Sequence, residues 1–165
     1  PVSSDDKIKY EKELTLELLN VQEQDLGERI YEIEYPDGPD DYPTVLINNN
    51  LPEPKTFFTN EKPWGRALIL SKCVDEILNK ILIIDEEIYD STGRGWKDIW
   101  LQSLSKMLGQ DPPENNEIQV ESGLSTSDFF KRKEWIKEAS NRFCEENRLR
   151  IKLIDYIEME GMYRR

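Results

Sequence analysis

The chain has 165 residues, of which 37% are apolar, 34% charged and 10% aromatic, which suits one ordinary domain and is too polar for a membrane span. Its 34 acidic against 22 basic side chains give a net charge of -12, which disfavours non-specific attraction to a phosphate backbone. There is no histidine, so Ser-His-Asp, Cys-His and His-metal chemistry are all excluded.

Residues 1–13 are polar and are expected to be frayed; Pro1-Val2-Ser3-Ser4-Asp5-Asp6 has neither an initiator Met nor a signal pattern and reads as an excised end of a longer polypeptide. Leu14, Leu16 and Leu18 then alternate with polar residues, predicting a strand over 14–18. A second strand is predicted over 30–35, where Tyr31, Ile33 and Tyr35 share a face, and a third over 44–48, with its β-branched Thr44-Val45-Leu46-Ile47. The loop Pro36 to Pro43 joins these two as a loose antiparallel hairpin. Asn48-Asn49-Asn50-Leu51-Pro52 stops the sheet near Ile47, because Asn favours turns and proline removes a donor.

From Trp64 the period changes. Ala67, Leu70, Val74, Ile77, Leu78, Ile81 and Ile84 form one helical stripe, predicting a helix over 64–84. Continued unchanged, it would bring the Asp85 carboxylate into that stripe, so the helix should end or bend close to Ile84. Asp90 to Gly95 is a turn, and Trp96, Ile99, Trp100, Leu104 and Leu108 predict a helix over 96–108 closed by Gly109. Ile118-Gln119-Val120 suggests a short strand. Ser125, Thr126 and Ser127 offer caps for a helix over 127–146. Over 148–154, Arg148, Arg150 and Lys152 interleave with Leu149, Ile151 and Leu153, predicting a final strand. The fold class read from this order is α+β: one acidic domain with a small, mainly antiparallel sheet packed on about three helices. At least three of the four tryptophans should be core residues.

Cys73 and Cys144 are far apart and form no CxxC pair, which suits a reducing compartment and a cytoplasmic location, with both as small buried side chains. Charge is unevenly spread: residues 131–165 carry 10 basic and 7 acidic side chains, leaving 12 against 27 in residues 1–130. The C-terminal third is therefore suited to an acidic surface, this chain's own or a partner's.

Three local patterns carry possible chemistry. Pro39-Asp40 with Glu53-Pro54-Lys55 resembles the PD-(D/E)xK nucleases, which implies a divalent ion held by Asp40 and Glu53, with Lys55 orienting water. The match departs from that family in placing a proline inside the segment that should be a strand. Lys80-Ile81-Leu82-Ile83-Ile84-Asp85-Glu86-Glu87 looks like the first strand and acidic pair of a response-regulator receiver domain, implying a degenerate regulatory domain centred on Asp85 and Glu86. Thr92-Gly93-Arg94-Gly95-Trp96 enters a helix, where backbone N–H groups with Arg94 are placed to hold an anion, although the full phosphate-loop spacing is absent.

Lys131-Arg132-Lys133 beside Phe129, Phe130 and Trp135 mixes bases and aromatics as single-strand binders do, and equally as the two sides of one helix. With no complete catalytic or cofactor motif, the leading expectation is a non-catalytic interaction or accessory domain of a larger polypeptide or assembly. It needs no cofactor and no metal. The expected partner is another protein or another domain of the same polypeptide, with nucleic acid disfavoured and no membrane, and the expected contact residues are Tyr42, Arg94, Lys131, Arg132 and Lys133. The metal-dependent nuclease and the receiver-like domain stand as alternatives.

Overall fold

A computed structural model describes residues 18–54, 56, 65–114 and 123–163. They form a mixed three-stranded sheet and four helices, an α+β fold. The strands are β1 (Asn20–Gln24), β2 (Tyr31–Glu34) and β3 (Thr44–Asn48), in the order β1-β3-β2. β2 and β3 make the expected antiparallel hairpin, with Ile33 opposite Val45. β1 runs parallel to β3, with Val21 opposite Val45, so the sheet is mixed rather than mainly antiparallel.

Parallel pairing requires the chain to cross the end of β3 between β1 and β2. The Asn48 side chain makes that crossing possible by serving the loop's backbone. Its amide nitrogen donates to the carbonyls of Gly27 and Arg29, both at 2.7 Å, and its oxygen accepts from the Leu26 and Asn50 N–H groups. A buried polar side chain is tolerated where it is bonded in this way. The expected strand over 14–18 falls largely outside the described residues, as does Ile118-Gln119-Val120; β1 begins two residues beyond Leu18.

Helix α1 is continuous over 66–84, with an α-helical centre (Ser71–Asn79) between the wider π-type turns Arg66–Leu70 and Lys80–Ile84. Ile69, Leu70, Cys73, Val74, Ile77, Leu78, Ile81 and Leu82 along it are all buried. It stops at Ile84, as the Asp85 argument requires: the Asp85 N–H donates five residues back to the Lys80 carbonyl, and the widened turn leaves its carboxylate at the edge of the core.

α2 (Trp96–Leu108) ends at Gly109 in the left-handed region, φ 75°, where glycine closes a helix without a Cβ clash. α3 (Thr126–Glu146) is capped by Ser125, whose hydroxyl accepts from the Asp128 N–H at 3.1 Å. α1 packs on α3, and α3 on α2. Trp96, Trp100 and Trp135 are buried, and the last two donate their ring N–H to the Leu18 and Gln110 carbonyls. Trp64 lies outside the described residues.

The expected strand over 148–154 is instead the start of α4 (Leu149–Tyr163), which packs on the first turns of α1 and on α3. Leu149 is buried and Leu153 and Tyr156 half-buried, a spacing of four and then three residues that lays one helical face on the body. Six alternating residues fit both a strand and a helix with apolar side chains on two faces. Arg148, at φ 51°, turns the chain between α3 and α4.

Among the described residues, no helix is long and apolar enough to cross a membrane. Because Ile77 is fully buried and Leu68 is 60% exposed on the same helix, Ile77→Ala should cost about 2–5 kcal/mol in urea unfolding and Leu68→Ala less than about 0.5 kcal/mol.

Candidate functional site

Two places gather side chains with chemical potential. The first lies where the end of α1, the start of α2 and the 36–39 turn meet. Lys80 Nζ donates to Asp85 Oδ1 at 2.7 Å, while Lys97 Nζ bridges Asp85 Oδ2 at 2.9 Å and Glu87 Oε1 at 2.8 Å. The two ammonium groups also lie over aromatic faces, Lys80 at 5.6 Å from the Tyr35 ring centre and Lys97 at 5.8 Å from that of Trp96, and these two rings stack at 6.1 Å.

Burial alone would raise the Asp85 carboxyl, but Lys80 and Lys97 outweigh it and hold the group below the usual carboxylate range. Burial likewise pulls the Lys97 ammonium down, and Glu87 and Asp85 more than reverse that, leaving it above the ordinary lysine value. A nucleophilic lysine needs the opposite shift. Burial raises the Tyr35 phenol, helped by Glu76, to about 12. The Cys73 thiol is pushed by burial to about 12 as well, which keeps it from acting as a thiolate. Cys144 is only half-buried, and burial raises its thiol too.

Beside this cluster lies a shallow cleft of about 270 Å³, lined by Asp37, Pro39, Glu87, Trp96, Lys97 and Asp98. Two N–H groups at the helix start that opens on it are satisfied from within. The Trp96 N–H donates to the Pro39 carbonyl at 3.0 Å, and the Asp98 carboxylate accepts from the Gly95 N–H. Burial first, and the charges of Asp90 and Glu87 after it, raise the Asp98 carboxyl against that hydrogen bond. A Cβ at Gly93 would collide with Asp98. The Thr92, Gly93, Gly95 and Trp96 N–H groups, expected to hold an anion, are thus taken by the protein's own oxygens, and Arg94 is exposed on the turn.

The second place is the start of α3. Arg132 was expected at a partner surface but is only 1% exposed, and its Nη1 donates to the Leu82 carbonyl at 2.7 Å; it is an internal tie between α3 and the end of α1. Lys131 is exposed, whereas Lys133, also exposed, donates to Asn79 Oδ1 at 2.6 Å. Phe129 and Phe130 pair edge to face at 5.6 Å, with Phe130 62% exposed. Glu86 accepts from the Leu124 N–H at 3.3 Å, so residues 82–86 are fastened along the entry to α3. Ile84 and Ile88, in and just after that segment, are 69% and 71% exposed. The sequence gives a signal for this arrangement only in the Phe129-Phe130 pair, since Ile84 completes the α1 stripe on paper.

Tyr42 is half-buried against the core rather than exposed. Asp40 precedes the N-terminal end of β3 and Glu53 follows its C-terminal end, both exposed, with a strand length of roughly 13 Å between those ends. Lys55 lies outside the described residues. The two carboxylates of the nuclease-like pattern thus flank opposite ends of β3, and among the described residues no group of three or more His, Cys, Asp or Glu converges. The receiver-like reading requires residues 80–84 to be a strand; they are helical, which removes it. The chain matches no family model, and no curated protein or solved structure is significantly similar to it.

Because the folded Asp85 carboxyl titrates below its unfolded value, its contribution is present above the unfolded value and is lost as pH falls through the folded one. Asp85→Asn should therefore cost about 1–3 kcal/mol in chemical unfolding at pH 7, with the gap to wild type closing as pH falls below about 4.

Proposed function

We propose that the chain is a non-catalytic protein-interaction or accessory domain working within a larger assembly, and that it docks through the start of α3. The observation that supports this reading is Phe130, 62% exposed and edge-on to Phe129, on a helix entry beside which Ile84 is also exposed. Grouped exposed apolar side chains of this size mark binding surfaces in soluble proteins, and aromatic anchors supply much of the binding energy at such surfaces.

Lys131 and Lys133 flank these aromatics, so the matching face is apolar and rimmed by carboxylates. A protein satisfies both requirements. The titratable groups of the other cluster support the same reading from the opposite side: its lysines and carboxylates neutralise one another, which moves the Asp85 carboxyl down and the Lys97 ammonium up, away from neutral pH.

Affinity capture from the source cells, followed by calorimetry with the captured partner purified, tests the reading. Phe130→Asp should leave the far-UV spectrum and unfolding midpoint unchanged and weaken binding at least about 10-fold. A partner that binds both forms equally would remove the α3 surface. Turnover of a phosphodiester substrate that needs Mg²⁺ and is lost in Asp40→Asn would replace the whole reading with an enzymatic one.

A further inference from the structure

We propose that α4 is a self-association surface, on which a second copy of this chain docks antiparallel. The face of α4 turned from the body carries Ile151, Ile154 and Ile157 at three-residue spacing, 39%, 46% and 59% exposed. These fall on adjoining turns of one side of the helix, while Leu149, Leu153 and Tyr156 face the body.

The order of charges along α4 identifies the occupant. Arg148, Arg150 and Lys152 precede Ile154, and Asp155, Glu158 and Glu160 follow it. Measured from Ile154, Arg150 and Glu158 are each four residues away, Ile151 and Ile157 three, and Arg148 and Glu160 six. An antiparallel copy centred on Ile154 therefore sets the Arg150 turn of one helix opposite the Glu158 turn of the other, twice, and Ile151 level with Ile157. A two-fold interface demands this kind of self-complementary patch. A parallel copy would set Arg150 on Arg150 and Glu158 on Glu158, which is repulsive.

The chain's net charge of -12 opposes self-association in general, but residues 148–163 hold three basic and three acidic side chains and are locally neutral. Antiparallel pairing also sets the helix dipoles head to tail. A single helix face is a small interface, so the dimer should be weak, with a Kd on the order of tens of micromolar.

Sedimentation velocity at physiological salt, from about 5 µM to about 0.5 mM, should show a monomer-dimer equilibrium. Ile154→Glu should keep the far-UV spectrum and the thermal midpoint and remain monomeric throughout. Arg150→Glu and Glu158→Arg should each weaken the dimer at least about fivefold, and the two together should restore it to within about twofold of wild type. A monomer at every concentration, or a dimer that tolerates Ile154→Glu, overturns the proposal. So does a double charge swap weaker than either single change, which would mean another register. An Ile154→Glu chain with a lowered thermal midpoint overturns it as well, since the face would then be covered by another segment of the same molecule.

Discussion

The last carbonyl groups of a helix have no partner within it, and the last turn of α1 is part buried, with Ile84 exposed but Leu82 inside the protein. Leu82, two residues from that end, is 1% exposed, so its carbonyl cannot be left to water. Arg132 reaches it from α3. A buried guanidinium is costly unless hydrogen-bonded, and a buried carbonyl is costly unless it accepts; each answers the other's need. The same helix end carries Asp85, held at the core edge by Lys80 and Lys97. These contacts fix where α1 stops, how α3 crosses it and how α2 begins, and with them the position of every surface discussed above.

Much of this was legible in the sequence, for reasons that differ from element to element. α1 shows itself because it is buried on two sides, against the sheet and against α3, so its stripe is long and its one conflicting residue, Asp85, marks its end. α2 and α3 carry their own boundary residues, Gly109 and Ser125, whose effects are local. β2 alternates, β3 is a short apolar run, and a proline-bearing loop joins them. The parallel β1 was not legible, because its pairing depends on Asn48 serving a loop 20 residues earlier in the chain, and that contact leaves no local periodicity. Arg132 was misplaced for a similar reason. Between two lysines on a charged helix it reads as surface, and only the location of a distant helix end makes burial favourable.

Several charged residues near the helix ends are engaged within the protein. Asp98 accepts from the turn that precedes its own helix, Glu87 and Asp85 share Lys97, and Lys133 is bonded to Asn79. Lys80 and Lys97 at the core edge neutralise carboxylates that would otherwise be costly there, while Arg132 serves a buried carbonyl. Exposed apolar side chains lie at Phe130, Ile84 and along α4. The docking role proposed above needs only shape and desolvation at such surfaces.

The misreading of residues 148–154 and the exposed isoleucines of α4 have one origin. A helix that contacts its own protein on one side only would confine its apolar residues to that side, and its sequence would show a helical period. α4 instead places Leu149, Leu153 and Tyr156 inward and Ile151, Ile154 and Ile157 outward, so successive apolar residues fall one or two apart and the first five residues alternate as a strand does. The pattern that hides the helix is the pattern of a helix with two apolar faces. Selection for solubility acts against the outer one unless it is covered some of the time, and the inverted order of charges about Ile154 gives a second copy of α4 the means to cover it.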